Sequence, residues 1–83
     1  MIYKSEVVWT EEQANDPVLM QPIIDQAFAW EDRQTAGKED YANEPVAGQV
    51  TTMRYWDTEA HAQEWVDFVL AYNPISAIVT ITP

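Results

Sequence analysis

Three short stretches of this chain alternate residue by residue between two faces, and the two stretches between them repeat at helical spacing. That order constrains the fold more than any other feature. From Ile2 to Trp9, Tyr3, Val7 and Trp9 fall on one face and Lys4 and Glu6 on the other, with Val8 sharing the polar side. From Gln49 to Trp56, Val50, Thr52, Arg54 and Trp56 oppose Thr51, Met53 and Tyr55. From Ile75 to Thr82, Ile75, Ala77, Val79 and Ile81 oppose Ser76, Ile78, Thr80 and Thr82. Period two with β-branched and aromatic content predicts three strands.

Between the first two, Thr10-Glu11-Glu12 can cap a short turn, and Asn15-Asp16-Pro17 combines a capping Asp with a Pro suited to the first helical turn. Leu19, Met20, Ile23, Ile24, Ala27, Phe28 and Trp30 then form an apolar stripe opposite Asp25, Ala29 and Asp32, predicting a helix to about Arg33 with Gly37 as its stop. Pro22 either kinks this helix or marks its true start. The second helix opens at Asp57 or Thr58, with Glu59 in its first turn. Ala62, Trp65, Val66, Phe68, Val69 and Tyr72 form its stripe, Glu59, Gln63 and Asp67 lie opposite, and Asn73-Pro74 ends it. Lys38 to Gly48 reads as an acidic loop, with a hairpin built partly from residues 40 to 48 as an alternative.

Helices with one apolar face each need a sheet to cover, so the order gives a two-layer α+β sandwich over one domain, residues 1–83. The arrangement expected is the ferredoxin-like β-α-β-β-α-β one, two helices on one face of a small antiparallel sheet, its second strand the least supported. A chain of 83 residues buries only roughly 60% of its unfolded surface, so there is room for one core. Four Trp, four Tyr and two Phe make that core, or a paired surface, rich in aromatics. The absence of cysteine excludes disulfides, thiolate metal sites and a thiol nucleophile. No stretch approaches the ~20 apolar residues of a membrane span, and MIYKSEVVW lacks the pattern of a secretion signal. The reading is a cytoplasmic chain without membrane contact.

Fourteen carboxylates against Lys4, Arg33, Lys38 and Arg54 give a formal charge of −10. This repels phosphate backbones, so direct nucleic-acid binding is not expected; the charge reads as a solvated helical surface, with docking on a basic protein partner as the alternative. Residues 10 to 45 carry nine acids and two bases, and residues 57 to 83 four acids and none. The face of the sheet left open by the helices would carry Val8, Met53, Tyr55 and Ile78 among Thr and Ser. A semi-apolar face of several hundred Å² is more than a small monomer usually exposes, which predicts sheet-to-sheet pairing in a twofold homodimer.

The segment Arg54-Tyr55-Trp56-Asp57-Thr58-Glu59-Ala60, followed by Ala62, Trp65, Phe68 and a terminal apolar strand, resembles the second half of small dimeric α/β-barrel proteins, among them antibiotic-biosynthesis-monooxygenase-type domains. The resemblance covers residues 49–82. It implies a ferredoxin-like fold and back-to-back sheet dimers and, in some members, cofactor-free oxygenation or haem binding. No catalytic residue of that family maps onto this chain. In size and composition the chain is also similar to small acidic proteins encoded by bacteriophages, which implies action on a host protein in the host cytoplasm.

Candidate chemistry is sparse. His61, the chain's only histidine, lies at the edge of the apolar stripe with Glu64 three residues on, but a metal needs three or four ligands. Glu11-Glu12 with Asp16, and Glu39-Asp40 with Glu44, are carboxylate clusters without the spacing or Gly of a calcium loop. Ser5, Ser76 and the tyrosines show no triad order, and no Gly-rich phosphate loop exists. Catalytic, cofactor-binding and metal residues are therefore not assigned, and no cofactor is expected. His61, Trp65, Trp56, Arg54, Tyr55 and Trp9 remain as candidate ligand or interface residues. Two readings follow: a small acidic non-enzymatic interaction or regulatory protein, homodimeric; or a small-molecule binder or cofactor-free monooxygenase of the dimeric α/β-barrel type, with a cavity lined by Trp9, Trp30, Trp56 and Trp65.

Overall fold

The computed structural model describes residues 1–35, 41–42 and 45–83. Strand β1 (Ile2–Thr10) is followed by a single helical turn, α1 (Glu11–Ala14), and by helix α2 (Pro17–Ala29). A 3₁₀ turn over Glu31–Arg33 precedes the short strand β2 (Tyr41–Ala42), strand β3 (Gln49–Trp56), helix α3 (Glu59–Leu70) and strand β4 (Ser76–Thr82).

The four strands form one antiparallel sheet in the order β2-β3-β1-β4, and both longer helices pack on one side of it, which is the ferredoxin-like arrangement. Of the expected second strand the described residues are Tyr41 and Ala42, paired with Met53 and Thr52. The carboxylates Glu39, Asp40 and Glu44, and the proposed stop at Gly37, lie outside the described residues.

Local chemistry sets the element ends. Thr10 and Gln13 form a reciprocal capping box: the Thr10 hydroxyl accepts from the Gln13 amide, and the Thr10 amide donates to the Gln13 side chain, both at 3.0 Å. Asp16 caps α2 by accepting from the amides of Val18 and Leu19. Pro17 therefore opens α2, and Pro22 lies inside it, where the carbonyl of Val18 loses its helical donor. The α-helix ends at Ala29 rather than near Arg33, because the chain tightens into the 3₁₀ turn and then runs beside the end of β3. There Thr35 and Asp57 donate to the carbonyls of Tyr55 and Arg33 at 3.0 and 2.9 Å. Thr58, rather than Asp57, caps α3 through the His61 amide. The hairpin into β3 turns on Ala47 and Gly48, both at positive φ (54° and 76°), between the paired Val46 and Gln49.

Register explains where the core sits. Val7 is flanked by Thr52 and Ala77, Ser5 by Arg54 and Val79, and Tyr3 by Trp56 and Ile81. This inner face meets Ile23 and Ala27 of α2 and Ala62, Trp65 and Val69 of α3 in a single buried cluster that includes Val7, Trp9 and Trp56. The expected stripe on α2 is only half buried: Ile24 and Phe28 face solvent. At 100° per residue, the seven apolar positions from Leu19 to Trp30 span about 180°, more than one sheet can cover.

The opposite face bears three cross-strand rows: Tyr55-Lys4-Thr80, Met53-Glu6-Ile78 and Thr51-Val8-Ser76. The alternation in all three longer strands thus falls on the faces expected. Among the described residues no helix is long and apolar enough to cross a membrane.

Candidate functional site

A tryptophan-rich layer lies between sheet and helices. Trp56 and Trp65 are 5.5 Å apart by ring centroid and tilted by 33°, while Trp30 presents an edge-on contact to Trp65 at 6.3 Å and Phe68 continues the series. Such offset and edge-to-face pairs satisfy the ring quadrupoles. Trp56 is 1% exposed, so its indole N–H needs a partner; it donates to the Ser5 hydroxyl at 2.9 Å, and Ser5 is itself buried. The sequence offered Ser5 only as a hydroxyl without a triad. Its position on the apolar alternation Tyr3-Ser5-Val7-Trp9 was the signal for a buried hydrogen-bonding partner.

Beside this stack opens a half-enclosed cavity of about 410 Å³. Val7 and Trp9 of β1 and Val50 and Thr52 of β3 supply its floor, and Met20 and Ile23 of α2 face them. Trp65 and Arg54 also line it, together with Ala14, Asn15, Ile24 and Pro45, and the Arg54 guanidinium carbon lies 5.1 Å from the centre of a Trp65 ring, within cation–π range. A second recess of about 150 Å³ shares Arg54 and Ile24 and adds Phe28, Glu31 and Gln34. Among the described residues the lining of the larger cavity contains no carboxylate.

The six residues singled out from sequence separate into three places. Trp9, Arg54 and Trp65 meet in the larger cavity, and Trp56 lies behind Trp65. Trp56 and Trp30, expected in the lining, instead belong to the aromatic stack, because the Trp56 ring is closed off between Ser5 and Trp65. Tyr55 points to the other side of the sheet, beside Lys4. His61 stands on the flank of α3, where its Nδ1 lies 2.6 Å from Asp57 Oδ1 one helical turn earlier. Glu64 does not join it; it takes Arg33 at 2.9 Å, and Arg33 also covers the Trp30 ring at 4.6 Å. Among the described residues no group of three His, Asp or Glu side chains forms a metal-ligating cluster. Sequence reasoning missed Met20, Ile23, Val50 and Thr52 as cavity residues, since core and cavity share one apolar pattern.

No family model matches the chain, and no curated protein matches it. Among solved structures it is similar to the solution NMR structure of a de novo designed protein with ferredoxin fold, at 13% identity and a TM-score of 0.43, over 98% of this chain and 81% of that one.

Proposed function

We propose that this chain is a small acidic interaction protein that pairs with a second copy through its open sheet face and docks its helical layer on a basic protein surface. The observation that supports this reading is the segregation of charge. Of the eleven carboxylates among the described residues, Glu6 alone belongs to the open sheet face, and the other ten are exposed on the helices and their connections. Among the described residues the open face is thus nearly neutral, with Lys4 two residues from Glu6 on the central strand and Val8, Met53, Tyr55 and Ile78 around them. A twofold axis between Lys4 and Glu6 sets each against its opposite in the partner, as an isologous interface requires. Stacked sheets lie about 10 Å apart, and each helical layer adds about another 10 Å. The helical-layer acids of two copies therefore stand well beyond a Debye length of about 8 Å.

Sedimentation equilibrium tests the pairing: a dimer is expected for the native chain and a folded monomer for Ile78→Arg. A native monomer at tens of micromolar removes it. Docking is tested by capture from lysate with the native chain and with Glu12→Lys/Asp32→Lys/Glu59→Lys. Basic proteins held at low salt should be lost at high salt and from the variant; identical retention in all cases refutes docking.

The cavity favours a second reading, a small-molecule binder of the dimeric α/β-barrel type. Its volume lies within the ~300–1,000 Å³ of ordinary ligand sites. Binding has that support, while cofactor-free oxygenation has no residue assigned to it. Unchanged tryptophan fluorescence across a metabolite and haem panel would count against this reading.

A further inference from the structure

We infer that the outer edge of β4 receives an extended basic segment of a partner protein as a fifth strand of the sheet. This inference rests on the docking reading and gives it a geometry.

β4 lies at the end of the sheet away from β2, and among the described residues no strand pairs with its outer side. Natural sheets protect such an edge with a charge, a Pro, a bulge or brevity. β4 uses none of these: the seven residues Ser76–Thr82 contain no charge and no Pro, and their register with β1 is unbroken. The groups it offers can be named. Alternate residues of a central strand turn their backbone groups to opposite neighbours. The Val8 carbonyl accepts from the Ile75 amide, and the Val7 carbonyl from the Thr52 hydroxyl, so the even-numbered residues of β1 face β4 and the odd-numbered ones face β3. By the register, Ser76, Ile78 and Thr80 then bond to β1, while Ala77, Val79 and Ile81 direct N–H and C=O outward.

The flank of α3 above this edge sets the chemistry of the occupant. Phe68 meets Trp30 at the end of α2. At 100° per residue, Glu59 and Leu70 stand about 180° and 160° around the helix from Phe68, on the flank away from α2, and Asp67 borders them. α3 packs more closely on β4 than on any other strand, so this flank overhangs the outer edge. Of the four acids between Asp57 and Asp67, Asp57 is taken by His61 and Glu64 by Arg33. Among the described residues Glu59 and Asp67 have no basic partner, and Asp67 accepts only from Gln63. Leu70 and Ile81 are exposed beside them. A strand laid along β4 with Lys or Arg at alternate positions would cover Leu70 and Ile81 with its aliphatic stems and bring its charged heads to Glu59 and Asp67. A second copy in the same place would instead set its own Glu59 and Asp67 against these two, which like-charge repulsion opposes.

The test uses a blocked seven-residue peptide alternating Lys with Val and Thr, the same peptide N-methylated along one edge, and its Glu-for-Lys counterpart. Amide NMR shifts and hydrogen exchange are read on the native chain. The Lys peptide should shift β4 and slow exchange at Ala77, Val79 and Ile81. N-methylation should weaken binding about tenfold or more, since it removes the backbone ladder and keeps the charge. Glu59→Gln/Asp67→Asn, both on the surface, should weaken it about fivefold. Equal binding of the methylated and unmethylated peptides, with shifts centred on Glu11, Glu12 and Asp25, overturns the edge site and leaves the docking reading standing. Equal binding of the Glu peptide overturns the basic class. Changes at Ala77, Val79 and Ile81 that follow protein concentration without peptide give the edge to a second copy and overturn the inference. Absence of binding by the Lys peptide also overturns it, whereas the docking reading is decided by its own capture experiment.

Discussion

Helix α3 buries Ala62, Trp65, Val66 and Val69, whereas α2, one residue longer, buries only Ile23 and Ala27 and leaves Val18 84% and Phe28 70% exposed. Both helices lie on the same sheet and both are properly capped, so neither helix formation nor sheet geometry alone separates them. The two apolar stripes have similar widths, about 160° for the six positions of α3 and about 180° for the seven of α2, so the difference lies in how much of each is covered. The buried positions span about 100° of arc in α3 and only about 40° in α2. The space this leaves beside Ile23 is the cavity. The same comparison teaches that the stable half of the molecule and its candidate binding half are distinct regions of one layer.

The largest effect should come from the α3 side. Trp65 touches Trp30, Trp56, Phe68 and Arg54 and is 3% exposed, so Trp65→Ala removes the centre of the aromatic stack. A loss of about 3–5 kcal/mol is expected. A chain of this length has about 4–12 kcal/mol in all, so urea unfolding should find the variant near its limit. Ile23→Ala on the α2 side should cost only about 2 kcal/mol, the low end for such a truncation, because the cavity already denies Ile23 some neighbours. Equal losses at the two sites would break the comparison.

Next is the hydrogen bond that fixes the stack to the sheet. Ser5→Ala leaves the buried Trp56 N–H without its acceptor and should cost about 1–3 kcal/mol. Its measurement is again the urea midpoint, with the slope unchanged. An effect below half a kcal/mol would mean that the indole finds another partner, and the stack would then be less constrained than its geometry implies.

These two sites also mark what was legible in the sequence. Alternation placed the inner face of all three long strands correctly, because a one-residue slip would turn every core residue to solvent. Trp65, Val66 and Val69 were legible because their helical spacing places them on the stripe that faces the sheet. Ile24 and Phe28 were not, since hydrophobicity alone cannot say which half of a wide stripe meets a partner. The Arg33–Glu64 and His61–Asp57 pairs were equally hidden: Glu64 could be read as the neighbour of His61 from spacing, but only the path of the chain after Ala29 brings Arg33 to it. A cavity lined by Trp9, Trp30, Trp56 and Trp65 was only one of two readings, and of these Trp9 and Trp65 line the cavity, because a core wall and a cavity wall have the same composition.

The caps sharpen the comparison at an effect of about 1 kcal/mol each. Thr58→Ala removes the acceptor for the His61 amide, and Asp16→Ala removes the acceptor for the amides of Val18 and Leu19. Packing couples α3 to β1, β3 and β4, so Thr58→Ala should lower the global unfolding free energy and leave the protection of α3 amides uniform. In α2, held at two buried positions, Asp16→Ala should instead appear in hydrogen exchange as faster local opening from Val18 to Gln21. Uniform loss of protection in both variants would show that the two helices unfold as one unit.

The smallest effect is expected where the sequence suggested a large one. Phe28 belongs to the apolar stripe by spacing, and a buried Phe truncated or made polar costs several kcal/mol. On the exposed flank of α2 it touches only the rim of the smaller recess, so Phe28→Gln should change stability by no more than about 0.5 kcal/mol, while Gln keeps a favourable helical propensity. Thermal or urea unfolding of the dilute protein measures this directly. A loss above about 1.5 kcal/mol would mean that Phe28 is covered in solution, by a second copy or by its own chain, and the concentration dependence of the loss separates those two: it persists on dilution if the cover is intramolecular and disappears if it is a partner.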